Sequence, residues 1–165
     1  MKYFLTFANG IPGTGIAYDD TLPSGAVECT QEQYQAPSQW TISDGAIIAF
    51  VPTALQQLQS QAIAALDGGL TITSTSTPAL NGTYACDDAH QARINRIQGF
   101  IAANSKFPNS LAALPWPDIS GTVHEFPSTA EFTAFASAVA DYVMALDAVI
   151  MGISTTLPPA QATIP

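Results

Sequence analysis

The chain has 165 residues, 47% of them apolar and only 10% charged, with four Lys or Arg against thirteen Asp or Glu and a net charge of −9. That balance argues against nucleic acid and anionic membrane as partners, because neutralising phosphates needs clustered cations. Lys2, Arg93, Arg96 and Lys106 form no patch beyond one helical pair.

The first segment, Met1 to Ala8, carries one charge and no apolar run of targeting length, so it reads as a native start opening on a strand over Tyr3–Ala8. Asn9-Gly10 then predicts a turn, the stretch to Gly15 is turn-rich, and a short strand Ile16-Ala17-Tyr18 pairs back. Asp19-Asp20 and Pro23-Ser24-Gly25 lead to a third strand over Ala26–Thr30. Thr30 and Gln33 have the spacing of a capping box, which predicts one helical turn before Pro37. Trp40–Ser43 and Ala46–Phe50, joined by Asp44-Gly45, carry the clearest hairpin signal in the chain.

Thr53 is placed to cap a helix running to about Leu66, with Leu55, Leu58, Ala62, Ile63 and Leu66 on one face. Asp67-Gly68-Gly69 ends it, and two heptads are too few for a coiled coil. This helix reads as a linker between two halves. The second half opens on a β-prone run from Leu70 to Thr77, turns at Asn81-Gly82 into Thr83–Cys86, and enters a helix capped by Asp87 or Asp88 and ending near Asn104. Ile94, Ile97 and Ile101 line that helix, with Phe100 at the edge of the stripe. Pro108, Pro115 and Pro117 predict an irregular stretch, and Ser120-Gly121 a second hairpin turn. Ser128 and Glu131 form a capping-box pattern on the longest helix, which reaches Met151 over about 34 Å at 1.5 Å per residue. Its apolar stripe runs from Phe132 to Ile150, and Asp141 and Asp147 interrupt it enough to argue against a membrane span. The end of the chain, with Leu157, Pro158 and Pro159, reads as an extended arm.

The fold class is therefore α+β. It comprises an antiparallel β module over 1–53, a linker helix over 54–69, an α+β domain with short hairpins and a long helix over 70–152, and a proline-rich tail over 153–165.

Residues suited to enzyme chemistry are few. His90 at a helix start and His124 in a strand are the only histidines, and neither has a nucleophile beside it in sequence. Alternation sets His124 and Glu125 on opposite strand faces, which spoils a metal site built with Asp118. Adjacent carboxylates, Asp19-Asp20 and Asp87-Asp88, suit turns and caps. Gly10-Ile11-Pro12-Gly13-Thr14-Gly15 lacks the Gly-Lys-Ser/Thr ending of a phosphate loop. Cys29 and Cys86 are too few for a disulfide framework and suit a reducing cytoplasm. No enzyme reading, cofactor or metal is expected.

Trp40, Tyr84, Trp116 and Phe126 lie near turns, where aromatics either anchor a partner or a glycan, or close a small core. With Leu157, Pro158 and Pro159 of the arm they are the candidate partner contacts.

Two stretches carry a resemblance. Gly15-Ile16, Pro23-Ser24-Gly25-Ala26-Val27, Thr30-Gln31-Glu32-Gln33-Tyr34 and Trp40–Gly45 resemble the start of small phage and prophage tail proteins, including tail-fibre accessory and assembly proteins. Ile72–Ser76, Leu80–Tyr84, Asp87-Asp88, Gln91–Ile94, Trp116 and Phe126 resemble a domain of uncharacterised function from the same phage setting. Together they cover about residues 1–150. The resemblance implies a non-catalytic role in a phage tail, made in the bacterial cytoplasm and carried in the virion. Fibre, baseplate or adaptor proteins are the implied partners. A fibre-assembly chaperone is the alternative, and a glycan-binding module a second one. Self-association into a homo-oligomer stays open.

Overall fold

The computed structural model describes residues 1–8, 11–18 and 21–165, and it is α+β. The chain forms two compact units, Met1–Pro52 and Thr53–Pro165.

In the first unit β1 (Lys2–Ala8) is the centre of a three-stranded antiparallel sheet, between β2 (Ile11–Ala17) and β3 (Val27–Cys29). The β1–β2 ladder runs from Lys2 opposite Ala17 to Ala8 opposite Ile11. The stretch from Ile11 to Gly15, expected to be turn-rich, is therefore strand: pairing along the whole of β1 overrides its Pro and Gly content. The expected turns at Asn9-Gly10 and Asp19-Asp20 lie outside the described residues. α1 (Gln31–Gln35) starts in the expected capping box, with Gln33 N donating to Thr30 Oγ1 and Thr30 N donating to Gln33 Oε1. The hairpin of β4 (Trp40–Ser43) and β5 (Ala46–Ala49) turns at Asp44-Gly45, both at positive φ (51° and 76°), as a type I′ turn requires.

The second unit begins with α2 (Ala54–Gly68), whose N-terminus is closed by a Thr53–Gln56 capping box. It packs on this unit's core rather than acting as a linker. Ala62 is buried and Leu58, Ala65 and Leu66 are partly so, while Leu55 and Ile63 are exposed. The buried stripe is thus rotated from the predicted one, because small Ala62 and Ala65 permit close contact with a neighbouring helix. Gly69 (φ 77°) turns the chain into the sheet, and a Cβ there would stand 2.4 Å from Tyr84 O.

A second sheet has β6 (Leu70–Ser74) between β7 (Gly82–Tyr84), antiparallel, and β10 (Gln161–Ile164), parallel. α3 (Asp88–Asn104) and the hairpin of β8 (Leu114–Pro117) and β9 (Val123–Phe126) follow, then α4 (Thr129–Ile150). Pro115 and Pro117 do not break β8. Asp118 N donates to Thr122 O, so by alternation Trp116 and Leu114 make the ladder bonds and both prolines fall where no inward N–H is needed.

α4 is long and apolar enough, with a mean hydropathy of 1.5, to cross a membrane by length and composition. In this fold its apolar stripe is the spine of the core: Phe132, Phe135, Val139, Tyr142, Val143, Leu146 and Val149 are all buried. Gln59 Nε2 donates to Ile150 O at 2.8 Å and Tyr142 OH to Ala65 O at 3.3 Å, tying α2 to α4. Only half of the expected capping box on α4 forms. Ser128 Oγ accepts from Glu131 N, but the Glu131 carboxylate accepts from the hydroxyls of Ser128, Thr77 and Ser76.

The predicted extended arm is corrected. Its last residues are β10, held by Thr71 N donating to Ala160 O, Thr75 N to Ile164 O, and Ser74 Oγ to Pro165 O. Ile164 is buried, and Leu157 packs against the core. The prolines flanking this segment stop a helix but permit an edge strand, which is the place β10 takes beside β6.

Candidate functional site

The aromatics expected near turns converge inside the second unit. Tyr84 at the end of β7, Trp116 in β8 and Phe126 in β9 are all buried, so the expectation that they contact a partner is corrected. They form one ring cluster with α4. Tyr84 stands 4.9 Å from Phe135, Phe126 5.0 Å from Phe135, and Trp116 5.9 Å from Phe132. Tyr84 OH donates to Leu80 O at 2.7 Å, and burial pushes its hydroxyl pKa far upward. Trp116 Nε1 is buried and has no acceptor among the described residues, and the Arg93 guanidinium lies 4.8 Å over the indole ring.

The other predicted contacts stay nearer solvent. Trp40 is half-buried in β4, with Nε1 enclosed and lacking an acceptor among the described residues. Leu157 and Pro158 are half-buried and Pro159 is exposed. Both prolines line a groove of about 330 Å³ between α4 and β10, with Tyr142, Ala138 and Ala162.

The polar groups sort into two separate pairs. His90 Nδ1 lies 2.6 Å from Asp87 Oδ2 at the start of α3, where Asp87 Oδ1 also caps Ala89 N and His90 N. The bonds from His90 and Ala89 hold the Asp87 carboxyl below its usual range. His124 is mostly enclosed, its Nδ1 2.6 Å from Ala79 O and its Nε2 3.3 Å from Asp118 Oδ2. Glu125 points to solvent on the opposite strand face. Asp118 and His124 do meet, but the arrangement closes the β8–β9 hairpin onto the loop before β7. Among the described residues no group of three His, Cys, Asp or Glu is placed to hold a metal.

The Asp118 cluster was legible in sequence only as a Ser-Gly turn. Asp118 Oδ1 accepts from Ser120 N, Ser120 Oγ and Thr122 N, at 2.8, 2.6 and 2.9 Å. The Ser120 hydroxyl first, then His124 and the two amides, bring its carboxyl from an ordinary 3.8 down to about 2. A lowered folded-state value means this stabilisation is fully present above the ordinary value and fades as pH falls toward 2. Acid unfolding followed by circular dichroism should show that slope in the wild type. Asp118→Asn should flatten it between pH 4 and 2. An unchanged slope would remove Asp118 from the account.

Both cysteines are free thiols. Burial pushes Cys86 up to about 11 and raises Cys29, so neither is a ready thiolate at neutral pH. Gly13 and Gly15 of the glycine-rich segment lie within β2, so these two residues form no loop.

Comparison of the chain with family models, with curated proteins and with solved structures finds no match.

Proposed function

We propose that this chain is a non-catalytic bacteriophage tail protein that works by contact with fibre, baseplate or adaptor proteins and is carried in the virion. One structural observation carries the contact reading: among the described residues of the first unit, only Leu5 and Ala17 are buried. A unit of some fifty residues is marginal even when it buries most of its apolar surface. This one leaves Ile11, Tyr18, Ile48, Phe50 and Val51 exposed, with Tyr18 at 84% and Val51 at 77%. Apolar surface left out in this way is characteristic of modules completed by a partner. The phage setting is supported by the sequence resemblance, and the charge-poor composition accords with both.

Mass spectrometry of purified virions, paired with co-expression and pull-down against the neighbouring fibre, baseplate and adaptor proteins, tests the reading. The expected result is detection in particles and capture of at least one tail protein. Capture of a fibre with absence from particles would replace the virion component by an assembly chaperone. A chain found in neither would overturn both.

A further inference from the structure

His124 of β9 turns both ring nitrogens toward oxygen atoms. Nδ1 lies 2.6 Å from Ala79 O, in the connection between β6 and β7, and Nε2 lies 3.3 Å from Asp118 Oδ2, just after β8. Neither oxygen has a proton to give. Ala79 O is a peptide carbonyl, and Asp118, its carboxyl held down to about 2, is a carboxylate. A neutral imidazole carries one N–H, so it serves one of these acceptors and turns a lone pair on the other. Turning the ring over sets carbon atoms against both oxygens and serves neither. Only the imidazolium, a donor at both nitrogens, fits the two contacts together.

The surroundings leave the mismatch no easy relief. The His124 and Asp118 side chains are 10% and 12% exposed. Gly82 closes the site from β7, where a Cβ would stand 3.0 Å from His124 Nε2 and 3.4 Å from Asp118 Oδ2. Asp118 Oδ1 is held by Ser120 and Thr122, so the carboxylate is not free to swing away. Of the other titratable groups near the ring, Tyr84 has its ring centroid 5.5 Å away. Its hydroxyl donates to Leu80 O, and burial keeps it neutral. Glu125 is exposed on the opposite strand face, and the Glu131 carboxylate is taken up by the hydroxyls of Ser76, Thr77 and Ser128. Among the described residues no Lys or Arg forms an ion pair with Asp118.

We propose that His124, Asp118 and the Ala79 carbonyl form a proton-operated joint: the imidazolium ties the end of the β8–β9 hairpin to the β6–β7 connection, and loss of its proton loosens that end. The closed joint needs the proton, so it is closed on the acid side of the His124 titration and loosens as pH rises through it. The part set free is small. Ile119 N, which donates to Thr83 O at 2.9 Å, lies in it, whereas Trp116 and Phe126 stay in the core. His90 has no such device, because only its Nδ1 meets an acceptor oxygen among the described residues and a neutral ring satisfies that. The joint does not rest on the tail-protein reading: absence from virions would leave it standing.

A pH titration of the full chain by nuclear magnetic resonance tests it, following the ring nitrogens of His124 and the exchange protection of the Ile119 amide relative to its unstructured rate. The ring should carry two protons wherever Ile119 is well protected. Protection should fall about tenfold, the effect of losing one charge-assisted hydrogen bond, over the same pH interval in which the ring loses a proton. Asp118→Asn keeps an acceptor for Ser120 and Thr122 and turns an amide N–H on Nε2, which lets a neutral ring satisfy both contacts. In that variant the His124 titration should move to lower pH, and Ile119 protection should no longer follow it. A neutral ring with unchanged Ile119 protection in the wild type overturns the proposal, and so does a titration that Asp118→Asn leaves in place. Should that variant fail to fold, the wild-type titration decides alone.

Discussion

Trp116→Ala should destabilise the second unit by about 3–5 kcal/mol, the range for removing a large aromatic from a packed core. Trp116 is 1% exposed and stands 5.9 Å from Phe132 and 6.3 Å from Phe135, with Arg93 over its outer face. Truncation leaves a void between β8 and α4 that neighbouring rings cannot fill without leaving their rotamers. It also strips Arg93 of the surface it lies on. The unsatisfied Nε1 offsets part of the loss, because that buried donor disappears with the side chain. Urea unfolding followed by far-ultraviolet circular dichroism measures the effect. A change under about 1 kcal/mol, with partner binding lost, would return Trp116 to the surface role that its place near a turn suggested.

The second large effect is expected from removing β10. Deleting residues 161–165 should cost at least about 3 kcal/mol, from the burial of Ile164 and its strand neighbours and the lost ladder bonds. Ile164 is 3% exposed, and β10 covers one edge of β6, whose Leu70 and Ile72 are fully buried. Ser74 is the buried polar residue at the end of β6, and its Oγ donates to Pro165 O at 2.7 Å. Loss of that acceptor leaves the hydroxyl to find another partner. Thr163→Ala, on the exposed side of the same strand, is the control and should cost little. Equal stability of the deletion and the wild type would mean that the end of the chain is an arm after all.

Much of the local structure is legible residue by residue. The capping boxes at Thr30 and Thr53, the Asp87 cap and the Asp44-Gly45 turn depend on atoms within a few positions of one another, so spacing alone predicts them. The stripe of α4 is also readable, because one helix face against one core repeats at 3.6 residues. The candidate contacts fared differently. Turn proximity is a local property, whereas burial of Tyr84, Trp116 and Phe126 depends on where β7, β8 and β9 meet α4. The Asp118–His124 pair has the same origin, since the hairpin bends both residues toward Ala79, forty-five positions from His124.

Composition and charge determined that the chain is acidic and thin in charge, and residue order, through caps, turns and periodicity, that it is α+β with a long amphipathic final helix. Those properties are sums over residues or periodicities within one element, and no distant contact enters them. Only the tertiary structure decided that α2 belongs to the second unit, that the proline-flanked end pairs in parallel with β6, and that the turn aromatics form its core. Each of these depends on which elements, far apart in sequence, exclude water together. Period and propensity carry no record of that choice, because burial is a property of the assembled surfaces.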